Sequence, residues 1–458
     1  MAAPDPRRPA VIVDPFSSGG MYAPAFAAAG VPVVAVTSYP EVPAAYADSF
    51  RPADFTHVLG FDGDVERLVA QLRPLAPRCV LPGAESGVEL ADRLTERLHP
   101  ETVNTPALAA ARRDKGAMAL AVRAAGLPGI RQICTDDRAE VENWLTAERL
   151  TGRDLVVKPP KSGSTDGVTR VPAGQDWRVP FDAQLGRTNQ WRNLNDRMVV
   201  QEYALGTEYV VDTFSHGGRH TVADVCRYGK IDNGEQMAVY ESLSWVAPTD
   251  PAVPVLTAYA EAVLDAVGFR YGAAHIEVML TPEGPRLVEV NSRPHGGGHP
   301  DFCRTATGDS QLHRAVRWFT EGGSIPKGYR LLREMTVLFL IARSSGTIRN
   351  AAALAGVEQL ASHHRSAVKL KDGDPVRATR DLLDTLQLGF VVLAHEDAQQ
   401  IREDIAAVRR MEGELVIEAV DPAGPAGPAD PGASAASAAS AAQDGQDRPD
   451  GPDGAGQG

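Results

Sequence analysis

The sequence predicts a mixed α/β and α+β protein, with a parallel α/β unit first, a strand-rich middle and an α+β lobe last. Three observations predict it. Residues 9–104 alternate short apolar runs with helical patterns, the signature of a parallel α/β unit. The middle holds several apolar strands joined by turn residues, and beyond Pro326 strand and helix patterns mix over about 90 residues.

Taken in order, Ala10-Val11-Ile12-Val13 reads as a strand, followed by an Ala-rich helical segment to Ala29 and a strand from Val31 to Thr37. Cys79-Val80-Leu81-Pro82 is the next strand, and Ser86 to Leu98 is helical. The loop Ser17-Ser18-Gly19-Gly20 invites a dinucleotide site but lacks G-x-G-x-x-G. It reads as a tight strand-to-helix turn, placed where a substrate could touch it. Thr105-Pro106 predicts a helix start that carries the chain through Lys115 to Gly126 and Pro128.

Asp154 to Lys158 is a strand that ends in lysine and runs into the small-residue loop Ser162-Gly163-Ser164-Thr165-Asp166-Gly167. Such a loop exposes N–H groups to an anion, and Lys158 adds a charge. No Walker A spacing is present, and a plain hairpin turn would look alike. Met198 to Val211 reads as strand, connector and strand; the connector can meet an adenine edge, or be an ordinary loop. Leu256 to Val267 is helical, closed by Gly268.

Next comes the most informative segment. Gly272 to Leu280 and Arg286 to Arg293 read as a hairpin around Thr281-Pro282-Glu283-Gly284-Pro285. Pairing Leu280 with Arg286 sets Glu277 opposite Glu289, His275 opposite Asn291 and Ala273 opposite Arg293, with Ile276 and Val278 meeting Val290 and Val288 on the other face. Facing carboxylates repel, and a divalent cation removes the conflict. The alternative is a solvated hairpin face with two unrelated glutamates.

After Pro326 the expected elements are a strand at Met335–Ile341, a helix near Asn350–Leu360, strands at Ala367–Leu370 and Phe390–Leu393, and a helix at Ala398–Arg410. From Asp421 to Gly458 Pro, Gly, Ala, Ser and Asp dominate, a composition that closes no core and predicts a disordered tail.

Composition bounds function. With 46 basic and 59 acidic residues the net charge is −13, so neither a nucleic-acid backbone nor an anionic membrane is an expected partner. Cys79, Cys134, Cys226 and Cys303 form no metal or disulfide spacing. With no signal-peptide core at the start and no transmembrane-length apolar run, a cytoplasmic setting is expected.

The order of Lys115, Lys158 with its Gly/Ser loop, Glu202, then Glu277 and Glu289-x-Asn291-x-Arg293 resembles the ATP-grasp superfamily. More narrowly, it is similar to the carboxylate–amine ligases of the L-amino-acid ligase (bacilysin synthetase) group. The resemblance spans residues 1–420. It implies an ATP-grasp fold with an N-terminal pre-ATP-grasp α/β domain (1–104), a split nucleotide-binding domain (105–326, small lobe about 155–211), a C-terminal α+β lobe (327–420) and the tail (421–458).

Carried over by position, it implies that Lys115 and Lys158 bind ATP and that Ser162, Gly163, Ser164 and Gly167 belong to the loop over the phosphates. Glu202 with Tyr203, Ala204 and Leu205 would hold adenine, and Glu208 the ribose. Glu277, Glu289 and Asn291 would hold Mg2+, with Mn2+ as a substitute. Arg293 and Lys158 would act on the reacting phosphate.

Glu241, Arg293, Gly296 and Gly297 fall where relatives bind substrate, and the glycines after Arg293 predict a roomy or backbone-lined pocket. The implied reaction joins a carboxylate, such as an amino acid, to an amine through an acyl phosphate, releasing ADP and phosphate. Such a chain could also form a homodimer. His295 and His299 invite a zinc reading, without a third ligand in sequence. Two rival functions remain: an ATP-grasp carboxylase or purine-pathway ligase, and a non-catalytic nucleotide-binding protein.

Overall fold

The computed structural model describes residues 8–163, 166–231, 239–380 and 382–419. Ser164 and the tail from Asp421 lie outside the described residues. Ala10–Val13 pairs in parallel with Val33–Thr37 and Cys79–Pro82, and His57–Gly60 forms one edge. The inner strands are buried on both faces, which explains their unbroken apolar runs. The His57–Gly60 edge is mostly exposed and has no such run, so the sequence pattern does not reveal it.

The C-terminal ends of these strands gather Asp14, Ser17, Ser18 and Gly83 toward the centre of the molecule. A side chain on Gly83 would meet the Asp14 carbonyl at 2.5 Å, so the two loops approach as only glycine allows. Buried Asp14 ties the crest together, accepting from Ser38 N (2.7 Å) and Ser86 Oγ (2.6 Å).

Between Thr105 and Asp114 the expected helix gives way to two short 3₁₀ turns; the α-helix is Lys115–Ala124, capped by Asp114, whose carboxylate accepts from Ala117 N at 2.9 Å. The turns carry Arg112 into the interior. There it bonds Asp92 Oδ2 (2.7 Å) and the carbonyls of Thr105 (3.1 Å) and Val267 (3.0 Å). One guanidinium thus joins the N-terminal unit to the helix Ala252–Ala266.

A four-stranded sheet holds Gln132–Thr135, Met198–Glu202, Leu155–Lys158 and Thr169–Val171. The second strand of the expected strand–connector–strand unit, Thr207–His216, belongs to another sheet. That eight-stranded sheet runs Gly284–Asn291, Gly272–Thr281, Thr207–His216, Arg219–Ile231, Val239–Trp245, Glu334–Phe339, Gly389–His395 and His363–Val368. The C-terminal strands therefore extend the sheet that carries the glutamate hairpin. The expected helix near 350–360 is a 3₁₀ segment, Ala351–Gln359. No helix of the described residues is long and apolar enough to cross a membrane.

Buried charge in the Arg112 contact has a measurable consequence. Arg112→Ala removes the cation paired with Asp92 and the donor shared by the Thr105 and Val267 carbonyls, and should cost about 3–5 kcal/mol of stability, read as a lowered urea midpoint.

Candidate active site

The hairpin differs from expectation in two ways that cancel. Its turn is tighter, because Thr281 pairs with Gly284 and Leu280 with Pro285, where Leu280 was expected against Arg286. A β-bulge between Glu277 and Val278 then restores the register, so Glu277 faces Glu289 and His275 faces Asn291. The same bulge turns Leu287 into the core where Val288 was expected. The strand ends at Asn291, so Arg293 is not paired with Ala273, whose partner is Phe214.

Both carboxylates sit in a half-buried row. Burial and the facing Glu289 push the Glu277 carboxyl up, against the pull of His275. Burial acts on Glu289 too, but the Lys115 ammonium at 2.8 Å overrides it and holds the carboxyl down at about 2. Lys115 also donates to Ser162 O (2.9 Å), and Asn291 Nδ2 to Glu289 Oε1 (2.8 Å). Lys158 ends its strand beneath these groups, where burial and Lys115 lower it to about 8. Two carboxylates and an amide form an oxygen-donor set that fits a hard divalent cation, and the flanking ammonium groups suit phosphate oxygens.

The other nucleotide candidates are placed as follows. Ser162 is buried at the loop start, and Gly163 O accepts from Trp191 Nε1 at 3.2 Å. Gly167 has φ +70° and packs on Pro159, where a side chain would clash. Glu202 is engaged by Arg131, whose Nε donates at 2.7 Å; Tyr203 lies under the Arg170 guanidinium, with Ala204 and the exposed Leu205 following. Glu208 is buried against Lys230 and accepts from Tyr240 Oη at 3.2 Å.

A cleft with about 1380 Å³ of empty space, open solvent included, opens beside the glutamates. Arg293, Gly296 and Gly297 line it. Gly297 N and Gly298 N donate to Ser17 Oγ (3.1 Å) and Ser18 Oγ (3.0 Å), which ties the glycine loop to the N-terminal sheet. Glu241 is not brought to this cleft: Arg409 NH2 donates to its carbonyl at 2.7 Å and lies 3.9 Å from its carboxylate. Sequence reasoning missed Glu85, which bridges Arg113 (3.3 Å) and Arg293 (3.2 Å), and it missed the apolar wall of Phe302, Phe339 and Phe390.

It also missed an array of imidazoles. His275 stacks on His295 and His295 on His299, at centroid distances of 3.9 and 3.8 Å, with Trp245 beyond at 4.8 Å. Asp212 joins them: Oδ1 lies 2.9 Å from His275 Nδ1, and Oδ2 lies 2.9 Å from His295 Nδ1. Asp224 Oδ2 lies 2.8 Å from His299 Nε2.

Burial lowers all three imidazoles, but Asp212 carries His275 up to about 9 and Asp224 carries His299 up to about 9. His295, between the other two rings, is pushed well down by burial and then by His275 and His299. The zinc reading thus meets further candidate groups, Asp212 with His275 and His295, and Asp224 with His299 and Cys303. Their nitrogen and oxygen atoms bond one another and the rings stack, an arrangement suited to holding protons. Asp212 and Asp224 interrupt apolar runs, the one signal that could have exposed them.

Residues 151–300 match the model of the ATP-grasp domain. A crystal structure of an L-amino acid ligase from Bacillus licheniformis superposes with a TM-score of 0.67 at 16% identity, covering 91% of this chain and 100% of that one. The fold is thus the ATP-grasp fold. A dapdiamide A synthase from Enterobacter agglomerans is 28% identical over 417 residues, covering 88% of this chain and 96% of its own length. A D-alanine–D-alanine ligase from Coprothermobacter proteolyticus is 27% identical over 247 residues, 51% of this chain and 77% of its own. Residues 151–300 thus match an ATP-grasp domain, and the chain over most of its length is similar to an enzyme named as a dapdiamide A synthase.

The array predicts a pH dependence of stability. His299 is raised to about 9 from an unfolded value near 6.5, so its ion pairing stabilises fully below pH 6.5 and is lost as pH rises through about 9. The melting-temperature gap between wild type and His299→Gln should be widest below pH 6.5 and close above pH 9.

Proposed function

We propose that this enzyme joins an amino acid, or a related carboxylate, to an amine in an ATP-dependent reaction that releases ADP and phosphate. The facing pair Glu277 and Glu289, with Lys115 and Lys158 against it, carries the proposal. Such a set solves the charge problem of phosphoryl transfer and supplies no protein nucleophile, as transfer to a substrate carboxylate requires.

In this reading Lys115 and Lys158 hold the phosphates under the loop at Ser162, Gly163, Ser164 and Gly167. Glu202 and the backbone of Tyr203, Ala204 and Leu205 face adenine, with Glu208 at the ribose. Glu277, Glu289 and Asn291 would hold Mg2+, or Mn2+ in its place, which neutralises charge on the phosphates when bound.

Arg293 contacts the transferred phosphate and the oxyanion that forms as the amine attacks. Glu85 aims it, having one carboxylate against both Arg293 and Arg113. The Ser17–Gly297 and Ser18–Gly298 contacts close the substrate side, which shelters a readily hydrolysed acyl phosphate. Three of the four free cysteines are buried, which suits the cytoplasm.

ADP release measured across amino acids, singly and in pairs, with mass analysis for dipeptides, tests the proposal. Phosphate release that follows bicarbonate instead of an amino-acid pair would assign the site to a carboxylase or purine-pathway ligase. Glu289→Gln should lower turnover by about 100-fold or more while keeping a cooperative melt. Wild-type turnover in that variant would reject the metal assignment.

A further inference from the structure

Amide formation needs a base, because an ammonium ion has no lone pair with which to attack. We propose that His295 Nε2 takes the proton from the incoming amine and that Asp212 positions its ring. This deepens the ligase reading and rests on it.

The cleft offers few acceptors. Glu289 is paired with Lys115 and Glu277 with His275, and Glu85 is held between Arg113 and Arg293. His275 has both nitrogens on carboxylates, Nδ1 at Asp212 and Nε2 at Glu277 (3.2 Å). His299 Nε2 lies on Asp224, and its Nδ1 is buried without a partner and out of reach. Burial pushes the phenols of Tyr46 and Tyr228 up, so both keep their protons.

His295 differs in each respect. Its Nδ1 is fixed on Asp212, both ring faces are covered by His275 and His299, and Nε2 has no partner among the described residues. The side chain remains 11% exposed, and the ring lines the cleft two positions from Arg293. Its backbone N–H is anchored on Gln311 Oε1 at 2.5 Å, and buried Gln311 donates to Ala274 O at 3.0 Å. A carboxylate on one nitrogen and an open lone pair on the other is the logic of an oriented general base.

The step balances as follows. One proton passes from the ammonium to Nε2, and the freed lone pair forms the C–N bond to the acyl carbon while Arg293 faces the oxyanion. On collapse the C–O bond to phosphate breaks, its electron pair leaves with phosphate, and the second nitrogen proton goes with it. His295 returns its proton to water.

Hydroxylamine tests the assignment, because it is already neutral at neutral pH and traps an acyl phosphate without a base. In His295→Asn, dipeptide formation should fall about 100-fold or more while hydroxamate formation falls less than about 3-fold. Asp212→Asn should show the same split, with a loss of about 10-fold or more in dipeptide. An amine of low basicity should restore much of the rate in both.

Equal loss of dipeptide and hydroxamate would reduce His295 to a structural role and overturn the proposal, as would undiminished dipeptide formation. Absence of both products in wild type, with every carboxylate tried, would instead overturn the ligase reading beneath it.

Discussion

Repulsion between Glu277 and Glu289 is the constraint around which the centre of this protein is built. Two carboxylates on adjacent strands are held face to face by pairing that neither can escape. The structure answers with cations from elsewhere in the chain: Lys115 at 2.8 Å from Glu289, His275 at 3.2 Å from Glu277, and Lys158 buried behind them. The price of that concentration appears in Lys158, which burial and a second ammonium bring down to about 8. A site strained toward additional positive charge on one side and toward anions on the other is suited to a metal–triphosphate.

Everything around the pair serves to fix it in place. The N-terminal sheet presents its strand ends to the cleft, and Ser17 and Ser18 grip the Gly297-Gly298 loop just beyond Arg293. Glu85, from the same crest, reaches Arg293 and Arg113 together. Arg112 locks the N-terminal unit, through Asp92, to the helix that packs under the hairpin, and Trp191 joins the loop at Gly163 to Tyr46 at a ring distance of 5.5 Å. Histidines and aspartates from four separate segments complete the wall.

Much of this was legible in the sequence where chemistry and local pattern coincide. The hairpin, both lysines and Arg293 lie in short segments whose residue types announce them. The facing of Glu277 and Glu289 was read correctly through two offsetting differences, a tighter turn and a bulge near Val288, neither of which a period-2 pattern encodes. The helix expected from Thr105 was overruled by Arg112, whose partners lie 20 and 155 residues away. The imidazole array was illegible for the same reason: Asp212 and His275 stand 63 residues apart, and Asp224 and His299 stand 75 apart. Glu241 was placed at the substrate by position along the chain, and Arg409 draws it elsewhere.

A crystal grown with Mn2+ and a non-hydrolysable ATP analogue, with the metal located by its anomalous signal, addresses the central claim most directly. The expected result is manganese density bridging the carboxylates of Glu277 and Glu289, with the triphosphate lying over Lys115 and Lys158. Manganese bound at other residues, or a triphosphate seated away from the hairpin, would contradict the account.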